Sequence, residues 1–384
     1  ADLRWAQNAP GCNSKRSSAY IEGIYPQFIN KGHHCYIYDV DNRQYIDFTG
    51  ALGAVSLGYN HPKVMEAIIK QLKNGIICGP LTTDIEVECY DKICSTFALE
   101  KVRFLKSGNE ATNAAIRIAR AFTHRSHVVS EGYHGHGDMW TSLTPPAIGV
   151  VDKFDISASS DGNDAAYIFE GLLLSDEQGD IDKLKAKIKE YKLNHTVTIS
   201  DEIVTGCRVE NWTANQKYDY KADLVCLGKG IANGMPLSVV GGDAYIMDST
   251  EYFVSSTYSG ETLSLAACIA TLDEIKTKSL KDLQFYAKRF LDNLNNLIKP
   301  INVKIQGYGT RGMFPSTQIE GAIFMQECCK VGLFFGKAFF YNFAHMETEG
   351  LEETVMNKVS DVVAKIKRGD AKLEGRLPAE TFRR

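Results

Sequence analysis

Several short stretches carry residues whose types and spacing can do chemistry. "LGKGIANGMPLSVVGG" (227–242) sets Lys229 among glycines, directly after the apolar run "ADLVC". "TVTISDEIVTG" ends another apolar run on Asp201 and Glu202. A carboxylate at a buried strand end is costly unless something positive meets it. "EGYHGHGDMW" sets Tyr133 and His134 among glycines, where an aromatic ring could stack on a flat ligand. "FLKSGNEATNAA" brings Ser107, Gly108 and Asn109 to the start of a helical pattern. The first N–H groups of a helix lack internal partners and, with the helix dipole, favour a phosphate. Each stretch also has a plainer reading: an ordinary N-cap at Ser107 or Asn109, solvated histidines in a glycine-rich loop, a structural arginine facing Asp201.

For Lys229 three chemistries compete. A nucleotide P-loop is excluded, because no GxxxxGK[ST] occurs. "GKGIANG" yields only GxGxxxG, a weak dinucleotide signal, and Pro236 argues against a long helix after it. The third is an amine that forms a Schiff base with an aldehyde. A separate reading takes His134, His136 and Asp138 as an HxHxD zinc site of a hydrolase; it leaves Lys229 unexplained. Pyridoxal phosphate accounts for all four stretches. It needs a lysine for its aldehyde, a carboxylate for its ring nitrogen, a phosphate cup and an aromatic over the ring. Asp201 supplies the charge for the ring nitrogen, and that cation relieves the buried carboxylate. Desolvation and the positive ring should lower the lysine pKa and make the amine a usable base. Gly228 and Gly230 are expected to give the aldehyde room.

These residues need elements that bring them to one place. From about residue 100, "KVRFL", "SHVVSEG", "AAYIFEG", "HTVTISDE" and "ADLVCLG" read as strands, with helical stretches such as "NEATNAAIRIARAF" and "DIDKLKAKIKEYK" between some of them. This alternation predicts an α/β fold with a mainly parallel central sheet covered by helices on both faces. Ligands of such sheets sit at the carboxyl ends of the strands. "HHCYIYDVDNRQYIDF" reads as a hairpin turning at Asp41-Asn42. "HPKVMEAIIKQLKN" reads as a helix with Val64, Ile68 and Leu72 at helical spacing, and two more helices are expected in "LKDLQFYAKRFLDNLNNLIK" and "ETVMNKVSDVVAKIK". The last stretch, from Arg368, is polar and expected to fray. The division expected is 1–50 and 276–384 as the two parts of a smaller α+β domain, around a large domain at 51–275.

Composition bounds the rest. The 384 residues are 44% hydrophobic and 23% charged, with net charge −4, an ordinary globular balance that gives no reason to expect nucleic-acid binding. No run approaches the length of a membrane helix. The start has no apolar signal core, and the missing initial Met reads as a processed or trimmed start. The ten cysteines are scattered without a CxxC pair. Reduced thiols and a cytoplasmic location are expected.

From about residue 30 to about 370 the chain resembles class III aminotransferases of the fold type I pyridoxal-phosphate enzymes, on the branch of glutamate-1-semialdehyde 2,1-aminomutase and its relatives. "VRFLKSGNEATNAAIRIARAFT", "GYHGHGD", "SDEIVTGCR", "LGKGIANGMPLSVVGG" and "STYSGETLSLAACIATLDEI" carry the resemblance. It implies that Lys229 holds the cofactor and moves the proton, that Asp201 pairs with the ring nitrogen, and that Ile203 and Tyr133 cover the two ring faces. Ser107, Gly108 and Asn109 would hold the phosphate, with His134 and Glu170 completing the cofactor set. Thr257 would reach the phosphate of the neighbouring subunit, which implies a homodimer. The expected reaction is amino-group transfer, between molecules or within one, on a small amine or amino acid. Decarboxylation or epimerisation of an unusual amino-bearing substrate is the alternative. The departures from the family surround the substrate mouth. Gly171 stands where proline is usual after Glu170, and "SGET" with Glu261 and Thr262 replaces "SGNP". "SSAYIEGIYP" replaces the aminomutase's early arginine segment, with Arg16 out of register. The stretch before "GAIFMQECC" is short.

Overall fold

The computed structural model describes residues 25–26, 28–77, 79–143, 147, 149–151, 154–249, 251–374 and 377. They form two compact units. One takes the residues up to Leu52, Gly58–Asn60 and Phe285 onward; the other takes Gly53–Leu57 and His61–Gln284. Arg16 and most of "SSAYIEGIYP" lie outside the described residues.

The smaller unit opens with β1 (Ile29–His33), β2 (Tyr36–Asp39) and β3 (Gln44–Asp47), paired antiparallel in sequence order. The turn between β2 and β3 falls at Asp41-Asn42, as its residue types predict. Asn42 takes the left-handed φ of 62° that asparagine tolerates, and Asp39 Oδ1 accepts the N–H groups of Asp41 and Arg43, both at 2.9 Å.

In the larger unit the helices are α1 (Pro62–Lys73), α2 (Asp84–Phe97), α3 (Gly108–Thr123), α4 (Gln178–Leu193) and α5 (Thr262–Lys276). They accompany a seven-stranded sheet. Its strands are β4 (Lys101–Leu105), β5 (His127–Glu131), β6 (Ile156–Ser157), β7 (Asp164–Glu170), β8 (Val197–Asp201), β9 (Leu224–Leu227) and β10 (Ser238–Gly242). The spatial order is β4-β10-β9-β8-β7-β5-β6. Every pair from β9 to β6 is parallel, and β10 runs antiparallel between β4 and β9. Strands β7 and β8 are buried at every position, which is why they read as continuous apolar runs rather than alternating ones. Helix α3 lays Ala111, Ala114, Ala115, Ile118 and Ala119 into the core; small side chains let its axis approach the sheet. The sequence reading missed β6, β10, α2 and α5. Helix α1 forms as expected, yet of its predicted apolar positions only Val64 is fully buried, Ile68 is half-buried and Leu72 is 51% exposed.

The chain returns to the smaller unit through α6 (Leu280–Ile298) and continues with β11 (Gln306–Gly307), β12 (Arg311–Met313), α7 (Ile319–Lys330), β13 (Leu333–Phe334), β14 (Ala338–Phe340) and α8 (Leu351–Lys367). Strand β13 adds to β3 in parallel, and β11, β12 and β14 form a separate sheet. Phe48 stacks with Phe335, Phe339 and His345 in this unit's core. Helix α8 buries Val355, Val359, Val362 and Val363, as its pattern predicts. The expected fraying after Arg368 is corrected as far as Glu374. Buried Gln326 donates to the carbonyl of Lys372 at 2.9 Å and accepts the N–H of Glu374 at 2.9 Å, so this polar segment is held by a side chain of α7.

Candidate active site

Strands β4, β5, β7, β8 and β9 share one direction, so their carboxyl ends line one edge of the sheet. Ser107 follows β4, Tyr133 follows β5, Glu170 ends β7, Asp201 ends β8 and Lys229 follows β9. Glu170 and Asp201 are register partners in adjacent strands.

Asp201 is 4% exposed. Its Oδ2 lies 2.7 Å from Nδ1 of His134, and Oδ1 accepts the N–H of Ile203 at 3.1 Å. His134 is itself buried, and its Nε2 has no partner among the described residues. His134 Nδ1 is placed to donate to the carboxylate, which can only accept. The aspartate thus has a histidine partner within the protein, where the sequence reading weighed a structural arginine against a ligand atom.

Glu202, next along the chain, is fully buried. It accepts four hydrogen bonds, from Ser200 Oγ (2.8 Å), Thr205 Oγ1, the N–H of Ala214 (3.0 Å) and the N–H of Asn215 (2.7 Å). Burial raises its pKa against those donors. A Cβ on Gly171 would come 2.6 Å from Glu202 Oε1, so glycine at that position makes room for this carboxylate.

At the head of α3 the side chains of Ser107 and Glu110 form a reciprocal capping box. Glu110 Oε2 accepts the N–H groups of Lys106 (3.1 Å) and Ser107 (2.6 Å). The N–H groups of Gly108 and Asn109 have no acceptor among the described residues. A Cβ on Gly108 would strike Ile203 Cδ1 at 2.7 Å. The side chain of Asn109 holds the aromatic loop: its Oδ1 accepts from the N–H groups of His136 (3.1 Å) and Gly137 (2.8 Å). Glu170 holds the same loop from the other side, accepting the N–H of Tyr133 at 2.7 Å. Tyr133 is 40% exposed, while Ile203 is buried.

Lys229 opens a short 3-10 turn (Lys229–Ala232) with φ +47°. A non-glycine residue in this region stores strain, a feature concentrated at functional sites. The turn is pinned from behind. Ser56 Oγ donates to Gly230 O at 2.8 Å, and Asn233 Oδ1 accepts from Ser56 N–H (3.0 Å) and Leu57 N–H (2.9 Å). Arg208, fully buried, donates to the carbonyls of Val204, Gly206 and Gly53. A Cβ on Gly230 would come 2.9 Å from Arg208 Nη1, whereas one on Gly228 would meet Ile203 at an ordinary 3.5 Å. Gly230 therefore makes room for Arg208. The sequence reading missed Arg208; an arginine after an apolar run reads as surface.

Thr257 is exposed, and its neighbour Ser256 donates to Glu110 Oε1 at 3.3 Å. The zinc reading of the aromatic loop is corrected. His134 commits Nδ1 to Asp201, while His136 and Asp138 face solvent. The one close ligand set among the described residues is His127, Asp161 and Asp164, at the opposite ends of β5 and β7.

The profile of the family "Aminotransferase class-III" matches residues 19–160 and 165–339. Glutamate-1-semialdehyde 2,1-aminomutase of Legionella pneumophila (strain Lens) is 31% identical over 339 residues, 79% of this chain and 79% of that enzyme. The enzyme of that name from Francisella philomiragia is 33% identical over 343 residues, 79% and 78% of the two chains. Among solved structures, the FumI protein of Sphingopyxis sp. MTA144, in its PLP internal aldimine form, superposes with TM-score 0.87 at 21% identity over 98% of both chains. The β-phenylalanine aminotransferase of Variovorax paradoxus superposes with TM-score 0.82 at 20% identity, over 95% and 94%. With that profile over most of its length and relatives above 30% identity across 79% of it, the chain belongs to the class III aminotransferases.

Proposed function

We propose that this enzyme, a pyridoxal-phosphate-dependent aminotransferase or aminomutase, acts on a small amine or amino acid with Lys229 as its cofactor-bonding and proton-moving residue. The supporting observation is the convergence, at one edge of the sheet, of a strained lysine, a buried His134–Asp201 pair and a helix start with two N–H groups left over.

These residues fit the cofactor. The Gly108 and Asn109 N–H groups and the α3 dipole suit a phosphate. Asp201, held at 2.7 Å by His134 Nδ1, would suit a protonated ring nitrogen. When bound, pyridoxal phosphate withdraws electrons from the carbon that bears the amino group, so that a proton there can leave and return. Lys229 Nζ would hold the cofactor and, when free, would serve as the base that takes a proton from the substrate carbon and gives it back. Asp201 and Ile203 would hold the cofactor from the β8 end, and Tyr133 would shield it from water. Glu170 and Asn109 hold the loop of Tyr133.

The test is product analysis with a panel of amine donors and carbonyl acceptors, and of single diamines or amino-aldehydes. Conversion of donor to carbonyl compound identifies a transaminase, and migration of the amino group within one molecule an aminomutase. Release of carbon dioxide, or inversion without amino-group transfer, would overturn the reading.

The active form is proposed as a homodimer, with Thr257 reaching the partner's site. Its support is apolar surface in the larger unit: Ile69, Leu72, Ile76, Ile77, Leu81 and Val87 are all exposed, Leu81 at 81%. Patches of this kind mark interfaces. A cytoplasmic location fits eight described cysteines that are all free. No described helix is long and apolar enough to cross a membrane.

A further inference from the structure

Lys106 directly precedes the phosphate cup, and Glu261 directly precedes α5. Their side chains meet at 3.1 Å (Nζ to Oε2) while only 14% and 12% exposed. Glu261 is also the N-cap of α5, accepting from the N–H groups of Leu263 (2.5 Å) and Ser264 (3.2 Å) and from Ser264 Oγ (2.7 Å). Burial would raise its pKa, but these donors and Lys106 outweigh that and hold it below the usual carboxylate value. Thr262 exchanges two bonds with Ile77: its N–H donates to Ile77 O at 3.2 Å, and its Oγ1 accepts Ile77 N–H at 3.2 Å. At the other end of the segment, Ser256 Oγ donates to Glu110, whose second carboxylate oxygen accepts the N–H groups of Lys106 and Ser107.

The segment 256–261 is therefore anchored at both ends to the same cup, through Ser256–Glu110 and through Glu261–Lys106. Between the anchors lie the exposed Thr257 and Tyr258. The usual Asn-Pro of this family at 261–262 could make neither the ion pair nor the N–H donation to Ile77, since asparagine is uncharged and proline has no N–H. We propose that Lys106 and Glu261, with Thr262, are positioning residues that clamp the 256–261 segment to the phosphate cup, so that cofactor retention in one subunit depends on how the other holds its Thr257. This rests on the cofactor and homodimer readings above.

A double-mutant cycle on the holoenzyme tests it, using Lys106→Met, Glu261→Gln and the pair. The readouts are the rate of cofactor loss on gel filtration and the melting temperature. Each single change leaves a largely buried charge without its opposite charge, so cofactor loss should speed up about tenfold, a factor worth 1.4 kcal/mol. The double variant should be no worse than the singles, because coupled partners are non-additive. Ser256→Ala removes the other anchor without touching the ion pair. It should speed cofactor loss about threefold, the effect of one hydrogen bond, even if the charge variants fold poorly. Additive effects, or a lowered melting temperature with unchanged cofactor loss, would overturn the clamp while leaving the cofactor reading intact. A wild-type protein that never retains pyridoxal phosphate would overturn both.

Discussion

One oxygen of Asp201 accepts a backbone N–H and the other is held by His134. Replacing His134 by Phe removes the partner that aims the carboxylate. A hydrogen bond to a charged group contributes roughly 1.5–3 kcal/mol, so kcat/KM should fall about tenfold or more. His134→Gln, which can still donate, should recover part of that loss, and steady-state kinetics of the three proteins checks it. The glycines around Lys229 separate by the same close reading. Gly230→Ala forces a methyl against Arg208 and should cost about 1–3 kcal/mol of stability, read as a lower melting temperature. Gly228→Ala meets only ordinary contact and should leave the melting temperature nearly unchanged. Much at this scale was legible in the sequence. Lysine, aspartate and a helix-opening serine stand out because each is costly or pointless where its neighbours place it. Arg208 did not stand out, because its partners are backbone carbonyls brought in by the fold; Glu202 stood out as a carboxylate, but not the hydroxyls and backbone N–H groups that meet it.

Strand direction does the positioning at the next scale. Once "KVRFL", "SHVVSEG", "AAYIFEG", "HTVTISDE" and "ADLVCLG" are parallel, the residues after each must share an edge, and the alternating pattern was enough to foresee this. Strand β10 was not foreseen. Its five residues follow Pro236 and end in two glycines, and only the antiparallel slot between β4 and β9 makes them a strand. The described tail to Glu374 reads as polar and loose because its anchor, Gln326, belongs to another element. In the smaller unit, two buried groups set how its elements respond to acid. Burial, first among its causes, drives the pKa of His345 down to about 3. The unfolded chain then binds a proton that the folded one refuses, and stability falls as pH drops below about 6.5. Glu327 is the opposite kind of group. Burial alone would raise it, but Lys330, Lys365 and Gln326 outweigh that and bring it to about 2, so its contribution is lost as pH falls from the ordinary carboxylate range toward 2. Melting temperature against pH should therefore decline in two stages. Glu327→Gln should flatten the lower one and lower the neutral-pH stability by about 2 kcal/mol.

For the whole molecule, the expected apolar face of α1 is half of what decides assembly. Its periodicity put Val64, Ile68 and Leu72 at helical spacing, yet Leu72 is solvent-exposed in the single chain, as are Ile69, Ile76, Ile77 and Leu81. Sequence pattern reports that a face is buried, without saying by what. The homodimer reading predicts that Leu81→Asp, with Ile77→Asp, yields a monomer by sedimentation velocity and that the monomer loses its cofactor. A monomeric wild-type protein with full activity would contradict that reading. The account as a whole stands on one covalent bond. Reduction of the purified, pyridoxal-phosphate-loaded enzyme with borohydride, followed by peptide mass mapping, tests it directly. The prediction is a pyridoxyl group fixed on the peptide that carries Lys229, absent from a Lys229→Ala protein treated in the same way. A pyridoxyl group on a different lysine, or none on the loaded wild-type enzyme, would contradict it.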